Sequence, residues 1–116
     1  MTEQELYDKL VEISGVSDFH LELKQTYSES YWGRYFPGRK LIRLYALQEC
    51  GEQYPDDIII REGLHELTHH IQYHHIPFWE RRKGVMHDED FWNIFEGMLK
   101  SFFGKGLKEL KELQEY

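Results

Sequence analysis

Glu62-Gly63-Leu64-His65-Glu66-Leu67-Thr68-His69-His70 is the stretch whose reading decides this chain. It contains His65-Glu66-x-x-His69, an H-E-x-x-H pattern. On a helix, residues i and i+4 stack on one face, one turn apart. Two imidazoles held that way can ligate a single Zn²⁺, and the Glu between them is placed to take a proton from an attacking water. With seven His and fifteen Glu in 116 residues, chance alone gives such a pattern in about 5% of chains. The surroundings must therefore decide: whether the stretch is helical, and whether a third ligand arrives from elsewhere.

The helical test is met by flanking residues. Ile60, Leu64, Leu67 and Ile71 recur at spacings of four, three and four. That is a buried stripe, and it predicts a helix over about residues 57–75. Asp56 or Asp57 offers a cap, and Ile76-Pro77 ends the segment. With Leu64 and Leu67 facing the core, His65 and His69 fall on a neighbouring face that can border a cleft. Gly63 costs such a helix ~1 kcal/mol relative to Ala, which points to a close approach by another element.

Catalytic zinc takes three protein ligands and leaves one position open. His87 is best placed for the third. It opens the next helix, after a loop long enough to turn the chain back. The alternatives are His74, His75, Glu89 and Glu96. His74 and His75 lie one to two turns past His69 and suit a helix end or solvent. His70 and His74 form a second i, i+4 pair, but Ile71 stands where a base is needed, so that frame can hold metal without performing the chemistry.

The remaining elements follow from local signals. Thr2-x-x-Glu5 has the form of a capping box. Leu6, Leu10 and Ile13 continue at helical spacing and Gly15 stops them, so the first helix spans about residues 3–14. From Asp18 the period becomes two: Phe19, Leu21 and Leu23 on one side, His20, Glu22 and Lys24 on the other, a half-buried strand. Residues 31–36 and 41–45 are aromatic and β-branched enough for strands. Pro37-Gly38 between them fits a type II turn, which predicts a β-hairpin. A third helix starts at His87 or Asp88, with Phe91, Phe95, Met98 and Phe102 on one side and Asp88, Glu89 and Asp90 complementing its dipole. Gly104 and Gly106 break it, and Leu107, Leu110 and Leu113 mark a short terminal helix. The expected fold class is α+β: an N-terminal helix, a small three-stranded antiparallel or mixed sheet, the H-E-x-x-H helix, a helix carrying the third ligand, and a short C-terminal helix, all in one domain over residues 1–116.

Bulk properties set the outer limits. A net charge of −7 argues against broad electrostatic binding to nucleic acid; Arg81-Arg82-Lys83 is a local exception that reads as a solvated loop. No apolar run approaches the ~20 residues of a membrane span. The acidic start, Met1-Thr2-Glu3-Gln4-Glu5, shows no secretory signal. Cys50 stands alone, which suits a reducing cytoplasm and leaves zinc to His and carboxylates.

His65-Glu66-Leu67-Thr68-His69, followed by His87-Asp88-Glu89-Asp90-Phe91-Trp92, resembles the SprT-like zinc metallopeptidases. There an H-E-x-x-H helix is followed by a third His that opens the next helix, trailed by an aromatic pair. The resemblance covers about residues 5–103. It implies a minimal zincin-like domain, one zinc per chain on His65, His69 and His87, and Glu66 as catalytic base and acid. SprT-like proteins often carry a C-terminal zinc ribbon or nucleic-acid-binding segments, and these 116 residues contain neither, so the resemblance implies a minimal catalytic core with a protein or peptide substrate. An exposed strand within residues 39–46 is expected to pair with that substrate. Tyr27 and Tyr73 are candidate oxyanion stabilisers, and Asp88 and Glu62 candidate partners for the His rings. Two rival readings stand beside the enzyme: a non-catalytic scaffold whose zinc has four protein ligands, for instance recruiting Glu89, and a metal-free helical domain.

Overall fold

The computed structural model describes residues 1–76 and 87–104. Its elements are helix α1 (Glu3–Ser14), strands β1 (His20–Lys24), β2 (Gly33–Phe36) and β3 (Leu41–Tyr45), and helices α2 (Asp56–His74) and α3 (Glu89–Phe103). This is an α+β arrangement of three helices and one small mixed sheet among the described residues. The expected terminal helix over Leu107, Leu110 and Leu113, and the Arg81-Arg82-Lys83 segment, lie outside them.

Local chemistry accounts for α1. The Thr2 side chain accepts from Glu5 N while the Glu5 side chain accepts from Thr2 N, which closes the capping box. Gly15 ends the helix at φ 72°, in the left-handed region that glycine enters without a Cβ penalty. Leu6 and Leu10 are fully buried.

The sheet has the order β1-β3-β2. β1 runs parallel to β3, and β2 pairs antiparallel with it. This corrects the expectation for the substrate edge. Residues 41–45 form the central strand, hydrogen-bonded on both sides, so β1 and β2 carry the edges. The β2–β3 connection is corrected as well. A type II turn needs positive φ at Gly38, but the left-handed residue here is Lys40 (φ 49°), whose N–H donates to the Pro37 carbonyl at 3.2 Å. Pro37–Arg39 form one turn of 3₁₀ helix.

α2 is the element the others surround. It packs on β2 and β3 with one side and on α1 and α3 with others. Its first residue is Asp56, with Pro55 in the cap position, so neither Asp56 nor Asp57 caps it by its side chain. Ile58, Ile59, Ile60, Leu64 and Leu67 are buried. Gly63 now has its reason: a Cβ there would stand 3.0 and 3.1 Å from the Leu10 methyls of α1. The ~1 kcal/mol of lost helix propensity is offset by burying Leu10 completely, worth about 1.5–3 kcal/mol.

Gly33 has a parallel role at the start of β2. A Cβ there would meet Leu44 Cδ2 at 2.5 Å and Glu66 Cγ at 3.2 Å. The bare backbone of β2 therefore lies directly against Glu66.

Candidate metal centre

α2 and α3 between them bring three imidazoles to one point. His65 and His69 face the same way from successive turns of α2. His87 comes from the residue before the α3 N-cap. Their rings lie 5.3 Å (His65–His69), 5.2 Å (His65–His87) and 4.9 Å (His69–His87) apart, centroid to centroid. One ring nitrogen from each lies within 4.8 Å of the others, and His65 Nε2 and His87 Nε2 are 3.3 Å apart. Zinc–imidazole bonds of 2.0–2.1 Å at tetrahedral angles place neighbouring ligand atoms about 3.4 Å apart. The separation of these two nitrogens fits that edge.

His87 is held in place by its neighbour. Asp88 caps α3, accepting from Phe91 N at 2.9 Å, and the same oxygen accepts from Gln72 Nε2 of α2 at 2.8 Å. Asp88 thus fixes the start of α3 against α2. Glu62 pairs instead with Arg61. Of the other proposed ligands, Glu96 pairs with Lys100 at 3.8 Å and Glu89 is exposed. Tyr27 and Tyr73 are exposed.

Beneath the three imidazoles lies Phe91, fully buried, its ring 5.1, 4.8 and 4.7 Å from those of His65, His69 and His87. Sequence reasoning put Phe91 in the core stripe of α3 and missed this second role. The signal available was its position four residues after His87, about one helical turn on.

Burial sets the protonation of the site. It pushes His65 down to about 3 and His69 to about 4, with the neighbouring imidazoles adding to the shift. Both are neutral at pH 7, the form that binds metal. Glu66 is buried and pushed up to about 8, first by desolvation and then by Glu62 one turn earlier on α2.

No protein-family model, curated protein or solved structure matches this chain.

These shifts predict the pH dependence of the metal-free protein. Between about pH 4.5 and 6.5 the unfolded chain holds two protons on His65 and His69 that the folded chain lacks, while folded Glu66 holds one that the unfolded chain lacks. Across these three groups the net difference is one proton, with lowered His70 adding to it and raised Glu62 opposing it, so stability rises with pH. Between about 6.5 and 8 the histidines are neutral in both states and the raised carboxyls, Glu66 foremost, differ, so stability falls. Urea denaturation of chelator-treated protein at several pH values is expected to give a maximum near pH ~6.5. A steady rise through pH 8 would contradict the buried, protonated Glu66.

Proposed function

We propose that the chain is a zinc-dependent metallopeptidase, similar to the SprT-like enzymes, with His65, His69 and His87 as ligands and Glu66 as general base and acid. The observation that carries the reading is the convergence of three imidazoles, two from α2 and one from the residue before the α3 N-cap, with a buried carboxylate on the residue next to His65. The donor set is three histidines on one side of a shared point, as catalytic zinc takes. A zinc ion held there supplies Lewis-acid activation of water and of the scissile carbonyl.

The chain's own residues do the rest. Glu66, held in its ionised form by a cation on the neighbouring imidazoles, accepts the proton of the attacking water as the water oxygen bonds to the carbonyl carbon. It then delivers that proton to the departing amine nitrogen as the C–N bond breaks. Water and one peptide bond become a carboxylic acid and an amine, and Glu66 returns to its starting state. Gly33 brings the β2 backbone against Glu66. β2 is also an edge strand, so an extended substrate can pair along its free side, the part first assigned to residues 39–46.

The rival scaffold reading requires a fourth protein donor. Among the described residues the group has three.

The test is hydrolysis of an unfolded protein substrate such as denatured casein. Zinc-loaded protein is expected to cleave it, to stop when a chelator strips the metal, and to recover with one equivalent of zinc. Cleavage that persists in metal-free protein would remove zinc from the reading.

A further inference from the structure

A second convergence of ligand atoms lies at the far end of α2, on another side of the helix. His70 Nε2 and His75 Nε2 both stand 2.9 Å from Asp18 Oδ1, and His75 Nε2 is 3.1 Å from Asp18 Oδ2. The three donors lie within 4.8 Å of one another. Asp18 comes from the segment between α1 and β1, so the cluster joins parts of the chain more than fifty residues apart.

We infer that Asp18, His70 and His75 form a second metal site, taking a divalent transition-metal ion such as Zn²⁺ or Co²⁺. Two imidazoles and one carboxylate are a donor set that suits these ions, and neither a thiolate nor an all-oxygen shell competes for another class. The sharing of one carboxylate by two imidazoles serves equally as a set of hydrogen bonds in the metal-free chain. Tetrahedral coordination at about 2.1 Å spaces ligand atoms about 3.4 Å apart, so an ion needs Asp18 Oδ1 to part from each imidazole nitrogen by only about half an ångström. Asp18 and His75, with side chains 45% and 40% exposed, can move that far.

His70 is the fixed member. It is fully buried, and the Tyr35 hydroxyl lies 2.6 Å from its Nδ1. In the hydrogen-bonded form the Tyr35 O–H donates to Nδ1 and the Nε2–H to Asp18. With metal on Nε2 the Nδ1–H donates to Tyr35 instead. Either way the ring keeps its direction, the arrangement that orients a ligating histidine. Exposure of Asp18 and His75 leaves the remaining coordination positions to water. An ion there would pin the segment before β1, and through Tyr35 also β2, to the turn of α2 that carries His69.

The experiment counts ions. Wild type, His75→Ala and Asp18→Asn are titrated with Zn²⁺ and with Co²⁺, and bound metal is measured after gel filtration alongside calorimetry. Both substitutions are at exposed positions, and circular dichroism checks the fold. Each variant is expected to hold one ion fewer than wild type, or to bind its weaker ion at least ~10-fold less tightly. Equal stoichiometry and affinity in wild type and both variants would overturn the site. The readout is a difference, so it is independent of the centre at His65, His69 and His87. Were that centre empty, wild type would hold one ion and the variants none.

Discussion

Glu66→Gln is expected to keep the zinc content of wild type and to lose peptidase activity by at least ~10²–10⁴-fold in kcat. The substitution keeps volume and removes the site for a proton. Because burial pushes the Glu66 carboxyl up to about 8 in the metal-free chain, an amide there replaces a neutral group with a neutral group, and the metal-free protein should hold its stability near pH 7. Loss of activity with unchanged zinc content and unchanged folding then isolates the proton transfer. A variant that cleaves within a few-fold of wild type would take Glu66 out of the chemistry.

His87→Ala is expected to weaken zinc retention by more than the ~10–100-fold that losing a partner of a metal ligand costs. Two ligands on one helix face remain, and they do not make a closed site. His87 is exposed, so in the absence of metal the variant should unfold within ~0.5 kcal/mol of wild type. Zinc analysis after dialysis against a weak chelator measures the first effect and urea denaturation the second. Undiminished zinc would place the third ligand elsewhere.

Much of this was readable from local pattern. The capping box fixed α1, the period of two fixed β1, and the four-three-four stripe of Ile60, Leu64, Leu67 and Ile71 fixed α2 to within a residue at each end. Those signals depend on neighbours a few positions away. The sheet order was not readable, because the parallel pairing of His20–Lys24 with Leu41–Tyr45 joins separate segments and leaves no mark on either. The Pro37-Gly38 turn misled for a similar reason: both residues are compatible with several turns, and Lys40 took the left-handed position that the dipeptide suggested for Gly38. At the site, His65, Glu66 and His69 follow from helical spacing and His87 from the start of the next helix. Phe91 under the imidazoles, and the chain Tyr35–His70–Asp18–His75, depend on packing between elements. His69 and His70 are adjacent in sequence but about 100° apart around the helix, so they enter different surroundings. Counting histidines in a run cannot show that.

Phe91 also bears on where the metal stands in the life of the chain. Its buried ring lies against all three imidazoles, and Asp88 ties the start of α3 to α2 through Gln72. These contacts belong to the core and to the helix cap, so the chain is expected to fold before it is loaded, unlike small zinc modules that are unfolded without metal. Metal would then add stability by mass action, about 4 kcal/mol at a thousand times its dissociation constant. Folding and loading would be separate events, and a folded chain could exchange one ion for another. Which divalent ion occupies such a centre is decided by supply as much as by affinity, so the metal content of the purified protein should follow the growth medium.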